Sequence, residues 1–205
     1  MTGKNIIVIG LTGSIGMGKS ETAKMFERAN IPVFDSDAAV HGLMAKNGPA
    51  VDRVEAAFSG VKGVDGIDRK ALGAKVFGDG VALKKLESIL HPMVSAQRQA
   101  FFEQKKHQGH DMVVMDVPLL FETGGDQQCD YTVVVSAPAA VQRKRVLARP
   151  DMTLEKFENI LAKQMPDSEK RQRADFIVQS DQGIGYAETQ IGEIIEKIRQ
   201  KIRTE

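Results

Sequence analysis

A glycine-rich octapeptide near the amino terminus constrains this chain more than any other feature. Residues 13–20 read G-S-I-G-M-G-K-S, which fits the pattern G-x-x-x-x-G-K-S of a phosphate-binding loop. The apolar run 6–11 precedes the octapeptide, and a helix-compatible segment begins near Gly18. A strand, a glycine loop and a helix start in that order direct backbone N–H groups and a positive helix end at a polyphosphate. We therefore expect ATP or GTP to contact nine residues: Gly13, Ser14, Ile15, Gly16, Met17, Gly18, Lys19, Ser20 and Glu21.

Composition limits the domain size, partners and cellular compartment that we expect for this chain. The chain has 205 residues, 42% hydrophobic and 27% charged, which suits one well-filled globular domain. Its formal net charge of +1 gives no global attraction to nucleic acid or to an anionic membrane. The longest apolar runs are too short to span a bilayer, no secretory signal precedes the glycine loop, and the single cysteine, Cys129, excludes an internal disulfide. These features predict a cytoplasmic protein without a nucleic-acid or membrane partner.

Short β-rich runs alternate with longer helical patterns along the chain, which is typical of a parallel sheet covered by helices. We expect five strands, at 6–11, 31–34, 112–117, 131–135 and 176–178. The continuous apolar character of the third and fourth runs suits strands that are buried on both faces. The sequence therefore predicts an α/β fold of the P-loop NTPase type, with a five-stranded parallel sheet flanked by helices.

The second and third strands are separated by about 75 residues, too many for one crossover helix. Helical patterns fill this stretch at 38–46, 50–58, 69–77 and 81–107, with glycine- and proline-rich breaks at 47–49, 60–66 and 78–80. We expect one domain, 1–205. It would comprise a nucleotide-binding core (about 1–37, 111–150 and 172–205), a helical acceptor-binding subdomain (about 38–110) and a helical lid (about 151–171).

Lys19 and Ser20 have specific roles in a phosphate-binding loop. The lysine is expected to reach the β- and γ-phosphates, and the serine hydroxyl to join the shell of a Mg²⁺ ion. Asp116, at the end of the third strand, lies where a Walker B acid holds that ion through a water. An acid at a strand end can equally be a solvated terminator, so the residues alone leave both interpretations of Asp116 open.

Two acids, Asp35 and Asp37, follow the second predicted strand. Residues two apart at a strand end project the same way, and the carboxyl ends of parallel strands border the ligand crevice. One of these carboxylates can accept a hydroxyl proton during phosphoryl transfer. Aspartate is also favoured in turns and at helix N-caps, so a purely structural role for both acids stays open.

Arg145 and Arg149 are spaced i, i+4 in the helix that follows the fourth strand, so they share one helix face. Such a pair can neutralise charge on a phosphoryl group in transfer, although arginines on helices are often simply solvated. The helical segment 154–165, between Pro150 and Pro166, can serve as a lid that excludes water from the γ-phosphate.

The chain resembles the dephospho-coenzyme A kinases, P-loop kinases related in architecture to the nucleoside monophosphate kinases. The resemblance spans almost the whole sequence. It is carried by the loop region 9–20, by P-V-F-D-S-D at 32–37, by L-H-P at 90–92, by V-P-L-L-F-E-T-G at 117–124, by Gln142, Arg145, Arg149 and Gln164, and by A-D-F-I-V at 174–178.

The resemblance implies transfer of the γ-phosphate of ATP to the ribose 3′-hydroxyl of dephospho-coenzyme A, the last step of coenzyme A synthesis, with Mg²⁺ bound to ATP. In this likeness Asp37 corresponds to the general base, Lys19, Arg145 and Arg149 to catalytic cations, and 154–165 to the lid. The residues that would line the acceptor site are Asp35, His91, Pro118, Leu119 and Leu120. We read His91 as a positioning group; the residues alone also allow a helix residue near the Pro92 boundary.

The chain departs from the family pattern at three places. Glu21 replaces the usual threonine, so we expect its carboxylate to point away from the phosphates. His41 replaces an arginine, and Gln179-Ser180 replaces the usual Asp-Asn after the last strand. The last departure leaves the adenine contacts of that turn undefined.

Other functions remain compatible with a phosphate-binding loop. A switch GTPase would need an N-K-x-D segment, which the sequence lacks. Another small-molecule P-loop kinase would share the loop and lid but would need neither L-H-P nor so large an insertion. An ATP-binding regulatory or adaptor protein would show little acceptor-stimulated ADP production. For the assembly, we expect a monomer or a small homo-oligomer.

Overall fold

The computed structural model describes residues 6–204, so the two ends of the predicted domain, residues 1–5 and 205, lie outside it. The strands are β1 (Ile7–Thr12), β2 (Val33–Asp35), β3 (Lys62–Gly63), β4 (Gly66–Ile67), β5 (Met112–Asp116), β6 (Tyr131–Ser136) and β7 (Phe176–Gln179). The helices are α1 (Lys19–Arg28), α2 (Ser36–Met44), α3 (Val51–Ala57), α4 (Arg69–Val76), α5 (Gly80–His107), α6 (Ala139–Leu147), α7 (Leu154–Leu161), α8 (Asp167–Arg173) and α9 (Ile184–Thr204). A 3₁₀ helix covers Gly125–Gln128.

Five strands form the main sheet in the order β2-β5-β1-β6-β7. The pairs β1–β5, β1–β6 and β6–β7 are parallel, and the carbonyl of Pro32, just before β2, accepts from the N–H of Val114 in β5. All residues of β5 are buried, as are all of β6 except Tyr131. The predicted α/β fold with a five-stranded parallel sheet is confirmed, with strand ends shifted by one or two residues.

The chain divides into two compact units, Phe34–His107 and the remainder. In the larger unit, α1 and α9 pack on the sheet. Their apolar faces join the strands in one core cluster, in which Phe26 and Ile198 are fully buried. The apolar spacing in 191–202 therefore marks the core face of α9.

The smaller unit is helical and has a core of its own, which includes Leu43, Val54 and Leu90. One feature differs from expectation. The glycine-rich break 60–66 contains part of a two-stranded antiparallel hairpin, β3–β4, which two-residue strands are too short to reveal by pattern. Helix α5 continues through Pro92, which removes one helical N–H donor without ending the helix.

None of the helices within residues 6–204 is both long enough and apolar enough to cross a membrane.

Candidate active site

Close backbone contacts and positive φ angles favour glycine at three positions of the phosphate-binding loop. A Cβ atom on Gly13 would lie 2.7 Å from the carbonyl oxygen of Val135 in β6. Gly16 and Gly18 have φ angles of 78° and 99°, the left-handed region that side chains disfavour. These constraints fold the loop tightly over the end of the sheet and start α1 directly after Gly18.

The outward-facing carbonyls of this loop are engaged by side chains from other elements. Gln142 Nε2 donates to the carbonyl of Ile15 at 2.8 Å, and Ser180 Oγ donates to that of Met17 at 2.6 Å. The N–H of Ile15 donates to Gln164 Oε1 at 3.1 Å. Because the first N–H groups of a helix have no acceptor within the helix, the start of α1 presents donors that suit a phosphate.

Lys19 and Asp116 form the most buried charged contact at the loop. Lys19 Nζ lies 2.5 Å from Asp116 Oδ1, and the side chains are 16% and 6% exposed. The lysine begins α1 and the aspartate ends β5, on the strand next to β1, so the fold brings both predicted residues together. The cation of the loop and the candidate Walker B acid therefore neutralise each other.

A cavity of about 410 Å³ opens beside the loop. Its lining includes Gly18, Glu21, Arg145, Arg149 and Ser180. The cavity lies between the loop and the start of α9, and it has the size of a small-molecule site.

The two predicted arginines differ in what they contact. Arg145 donates through Nη1 to Ser180 Oγ at 2.9 Å and through Nη2 to the carbonyl of Ser180 at 2.7 Å, with a longer bond of 3.4 Å to the carbonyl of Gly16. Arg149 is exposed. Arg145 thus ties the phosphate loop to the turn after β7, whereas Arg149 lines the cavity from beyond α6; because α6 ends at Leu147, the expectation that the two arginines share one helix face is wrong.

Glu21 also lines this cavity, but its carboxylate accepts from Lys24 Nζ at 2.7 Å. The hydrogen bond and the charge of Lys24 lower the pKa of Glu21. Glu21 is therefore a surface ion-pair partner within the first turns of α1.

The predicted lid helix 154–165 is shorter than expected, because α7 ends at Leu161. The N–H groups of Lys163 and Gln164 close tighter three-residue turns with Ile160 and Leu161. The N–H of Met165 leaves the helix pattern altogether and donates to Glu122 Oε1 at 2.7 Å.

A second helix, α8, follows within the predicted lid and carries a buried lysine. Lys170 is fully buried, and its Nζ lies 2.9 Å from Glu122 Oε1 and 3.3 Å from the carbonyl of Pro118. Burial raises the pKa of Glu122, but the hydrogen bonds from Lys170 and the Met165 N–H outweigh it, so the net pKa is lowered. Arg173 binds Asp126 in the 3₁₀ helix, and the Ser136 hydroxyl at the end of β6 donates to Asp167, so three polar contacts hold α8 to the end of β6, the 3₁₀ helix and the segment after β5.

The three predicted acceptor residues after β5 differ in exposure. Leu120 is fully buried, and a Cβ atom on Gly10 would lie 2.8 Å from its Cδ2. Leu119 is 36% exposed and Pro118 is half-buried. Leu120 is therefore a core residue, whereas Leu119 and Pro118 are partly exposed to solvent.

The remaining predicted residues lie in the smaller unit. Asp35 is the N-cap of α2, and its Oδ1 accepts from the N–H of Ala38 at 2.9 Å. Asp37 is already in the first turn of α2, so the expectation that both acids continue the alternation of a strand is wrong: the Asp35 cap starts the helix one residue later. Asp37 is exposed, and so is His91 in α5.

A family model described as dephospho-CoA kinase matches residues 7–185. The chain belongs to the dephospho-CoA kinase family. A dephospho-CoA kinase of Novosphingobium aromaticivorans is 54% identical over 95% of this chain and 96% of its own length. One of Mesorhizobium japonicum is 56% identical over 95% and 98%, respectively. The crystal structure of TT1252 from Thermus thermophilus has a TM-score of 0.82, 30% identity, and coverage of 95% of this chain and 98% of that one.

Sequence reasoning gave no role to several residues that shape the site in this dephospho-CoA kinase family member. Gln142 and Gln164 belong to the family resemblance, but a glutamine carries no local signal of what it binds. Ser180 was noted only as a departure from the family pattern. Lys170 and Glu122 were missed because a lysine in a charge-rich helix ordinarily lies in solvent.

Proposed function

We propose that this chain transfers the γ-phosphoryl group of ATP to the ribose 3′-hydroxyl of dephospho-coenzyme A, which yields coenzyme A and ADP in the last step of coenzyme A synthesis. The observation that carries the proposal is the pairing of Lys19 with Asp116 at a phosphate-binding loop, in a chain of the dephospho-CoA kinase family.

ATP is the phosphoryl donor in this proposal. Its phosphates would lie at the loop 13–20 and the start of α1, and its adenosine would occupy the cavity that Gly18 and Ser180 both line. Binding would draw Lys19 from Asp116 toward the β- and γ-phosphates, since a polyphosphate offers it more negative charge.

The side chains also fit a Mg²⁺ ion bound with ATP. Mg²⁺ prefers oxygen ligands and usually takes one or two from protein, with phosphates and waters completing its shell. The Ser20 hydroxyl and the Asp116 carboxylate supply oxygens of this kind, and Asp116 is already held against a cation. When bound, the ion would neutralise charge that develops on the phosphates.

The transfer itself would depend on three side chains. Asp37 would accept the proton of the attacking 3′-hydroxyl, as a general base. Arg149 would bind the transferring phosphoryl group, for which a planar guanidinium is suited. Arg145 would assist mainly by holding Ser180 and the loop, because its guanidinium already makes those bonds.

For the acceptor, the proposal keeps the residues that the family resemblance implies. Asp35 would set the position of Asp37 through its N-cap bond, and His91, Leu119 and Pro118 would contact dephospho-coenzyme A. Cytoplasmic location, a monomer or small homo-oligomer, and the lack of a nucleic-acid partner remain predictions from sequence.

Acceptor-dependent ADP release tests the proposal. Purified protein with Mg-ATP is assayed with dephospho-coenzyme A, with a nucleoside monophosphate, and without acceptor. Strong stimulation by dephospho-coenzyme A alone is expected. Equal stimulation by the nucleotide would support a different small-molecule kinase, and ATP binding without stimulation by either would support a regulatory ATP-binding protein.

A further inference from the structure

One peptide segment of the phosphate loop is held from both sides by glutamine side chains. The N–H of Ile15 donates to Gln164 Oε1 at 3.1 Å, and Gln142 Nε2 donates to the carbonyl of Ile15 at 2.8 Å. Gln142 comes from α6 and is only 6% exposed, whereas Gln164 comes from the segment that links α7 to α8. Elements far apart in sequence thus converge on a single residue of the loop.

The loop needs such support because it is not a strand or a helix. Backbone groups in irregular segments must find their partners in side chains or water. Gly16, which follows Ile15, has a φ of 78° and lacks a side chain that would restrict rotation of the adjacent peptides. Without an anchor, the peptide between Ile15 and Gly16 can turn at little cost.

The direction of this peptide determines what the loop presents to a phosphate. In a planar trans peptide the carbonyl and the N–H point in opposite directions. The bond from Gln142 fixes the Ile15 carbonyl toward α6, so it turns the N–H of Gly16 to the other side. A rotated peptide would instead place a carbonyl oxygen where the loop must offer donors to an anion.

Gln164 is itself held firmly. Its N–H donates to the carbonyl of Leu161, and the next residue, Met165, donates to Glu122, the partner of the buried Lys170. The buried ion pair therefore presents Gln164 to the loop in a defined position. The same residue lies three positions beyond the end of α7, so the candidate lid and the loop share this contact.

We propose that Gln142 and Gln164 are positioning residues that hold the phosphate loop in the shape that binds ATP, with Gln164 coupling the loop to the end of the candidate lid. The inference rests on the proposed ATP site. Neither glutamine touches the reacting atoms in this account; each acts through the peptide groups of Ile15.

The two contacts have opposite chemistry, and this makes the proposal testable. A backbone N–H only donates, so Gln164 must supply an acceptor; a backbone carbonyl only accepts, so Gln142 must supply a donor. Ionised glutamate is an acceptor of nearly the same shape as glutamine. Gln164→Glu therefore keeps its bond, whereas Gln142→Glu loses its bond and places a carboxylate against the Ile15 carbonyl.

The experiment compares Gln164→Glu, Gln164→Met and Gln142→Met, with Gln142→Glu as the charged counterpart. The KM values for ATP and for dephospho-coenzyme A are measured at saturating co-substrate. Exchange of the Ile15 amide is followed by NMR in nucleotide-free protein, and thermal unfolding reports folding. Amide exchange needs no turnover, so it remains informative if the protein has another acceptor.

Both methionine variants are expected to raise the KM for ATP about fivefold, the effect of losing one neutral hydrogen bond, and to leave the KM for the acceptor within about twofold. Gln164→Met should speed exchange of the Ile15 amide, and Gln164→Glu should keep it protected. Gln142→Glu should raise the KM for ATP at least as much as Gln142→Met.

Three results would overturn the proposal. The first is an unchanged KM for ATP in a folded Gln164→Met variant. The second is an equal rise in the KM values for ATP and for the acceptor that accompanies a loss of thermal stability. The third is an Ile15 amide that exchanges as fast in Gln164→Glu as in Gln164→Met. If Gln142→Glu fails to fold, Gln142→Met decides the role of that residue, because it removes the donor without adding charge.

Discussion

Lys19 Nζ and Asp116 Oδ1 lie 2.5 Å apart, so the two residues expected to hold opposite charges of Mg-ATP bind each other. The contact neutralises a nearly buried carboxylate. The effect of removing either side chain therefore combines a loss of nucleotide binding with the loss of this ion pair.

Replacement of Lys19 by alanine should lower kcat/KM for ATP at least about a hundredfold, because it removes a cation from the developing phosphate charge. Steady-state kinetics and ATP titration measure the effect. The matched control is Lys24→Ala in the same helix, where the exposed ammonium pairs with exposed Glu21. An unchanged rate in Lys19→Ala would refute the assignment of the phosphate loop.

Replacement of Asp37 by asparagine should lower kcat about a hundredfold or more and leave ATP affinity nearly intact, since a general base contributes to the chemical step. Asp35→Asn is the matched control, because asparagine caps a helix as well as aspartate does. It should retain most of the activity, and Asp35→Ala should cost about 1 kcal/mol of stability. Wild-type turnover in Asp37→Asn would show that another group takes the proton.

Arg145 in α6 and Arg149 just beyond it should differ in their effects. Arg149→Met should lower kcat more than it raises the KM for ATP, because we assign it to the transferring phosphoryl group. Arg145→Met should raise the KM for ATP more than it lowers kcat, since it loses two bonds to Ser180. Ser180→Ala should reproduce part of the rise in the KM for ATP seen in Arg145→Met. If Arg149→Met mainly raised the KM and Arg145→Met mainly lowered kcat, the roles assigned to the two arginines would be reversed.

Lys170 should contribute to stability through Glu122. Lys170→Met or Glu122→Gln alone should lower the free energy of unfolding by about 3 kcal/mol, because each leaves a buried charge without its counter-charge. The double variant should recover much of that loss, which urea unfolding in a double-mutant cycle measures. Fully additive losses would show that the pair is not coupled.

The same pair predicts a pH dependence. The folded-state pKa of Glu122 is lowered from 4.5, so its carboxylate adds stability above about pH 4.5. That contribution is lost as the pH falls through the folded-state value. The difference in unfolding free energy between wild type and Glu122→Gln should be constant from pH 7 to 5 and shrink below 4.5; a constant difference down to pH 3 would contradict this.

Much of the fold followed from the sequence because buried parallel strands and a glycine loop leave strong local patterns. The β5 run and the 13–20 loop were identified from residue type alone, and Lys19 and Asp116 meet as their strand and helix ends require. Contacts made by tertiary packing left no such pattern. The end of α7 depends on the bond between the Met165 N–H and Glu122, which lies 43 residues away.

The polar side-chain contacts around the site could not be predicted from the sequence for the same reason. Lys170 lies among charged residues that look solvated, and only the folded chain shows it fully buried. Asp35 and Asp37 were expected at a strand end, with a turn or N-cap role as the open alternative, and only the folded chain shows that Asp35 caps a helix that begins at Ser36. Side-chain hydrogen bonds to distant backbone groups therefore determine the parts of the site that sequence patterns could not predict.

The most direct test of the account is the position of the new phosphate in the product. Dephospho-coenzyme A and Mg-ATP are incubated with the enzyme, and the product is analysed by mass spectrometry and by phosphorus–proton correlation NMR. We predict a product one phosphate heavier, with the new phosphorus coupled to the proton on the ribose 3′ carbon. A phosphate on another position, or no acceptor-dependent product from protein that binds ATP, would contradict the proposed function.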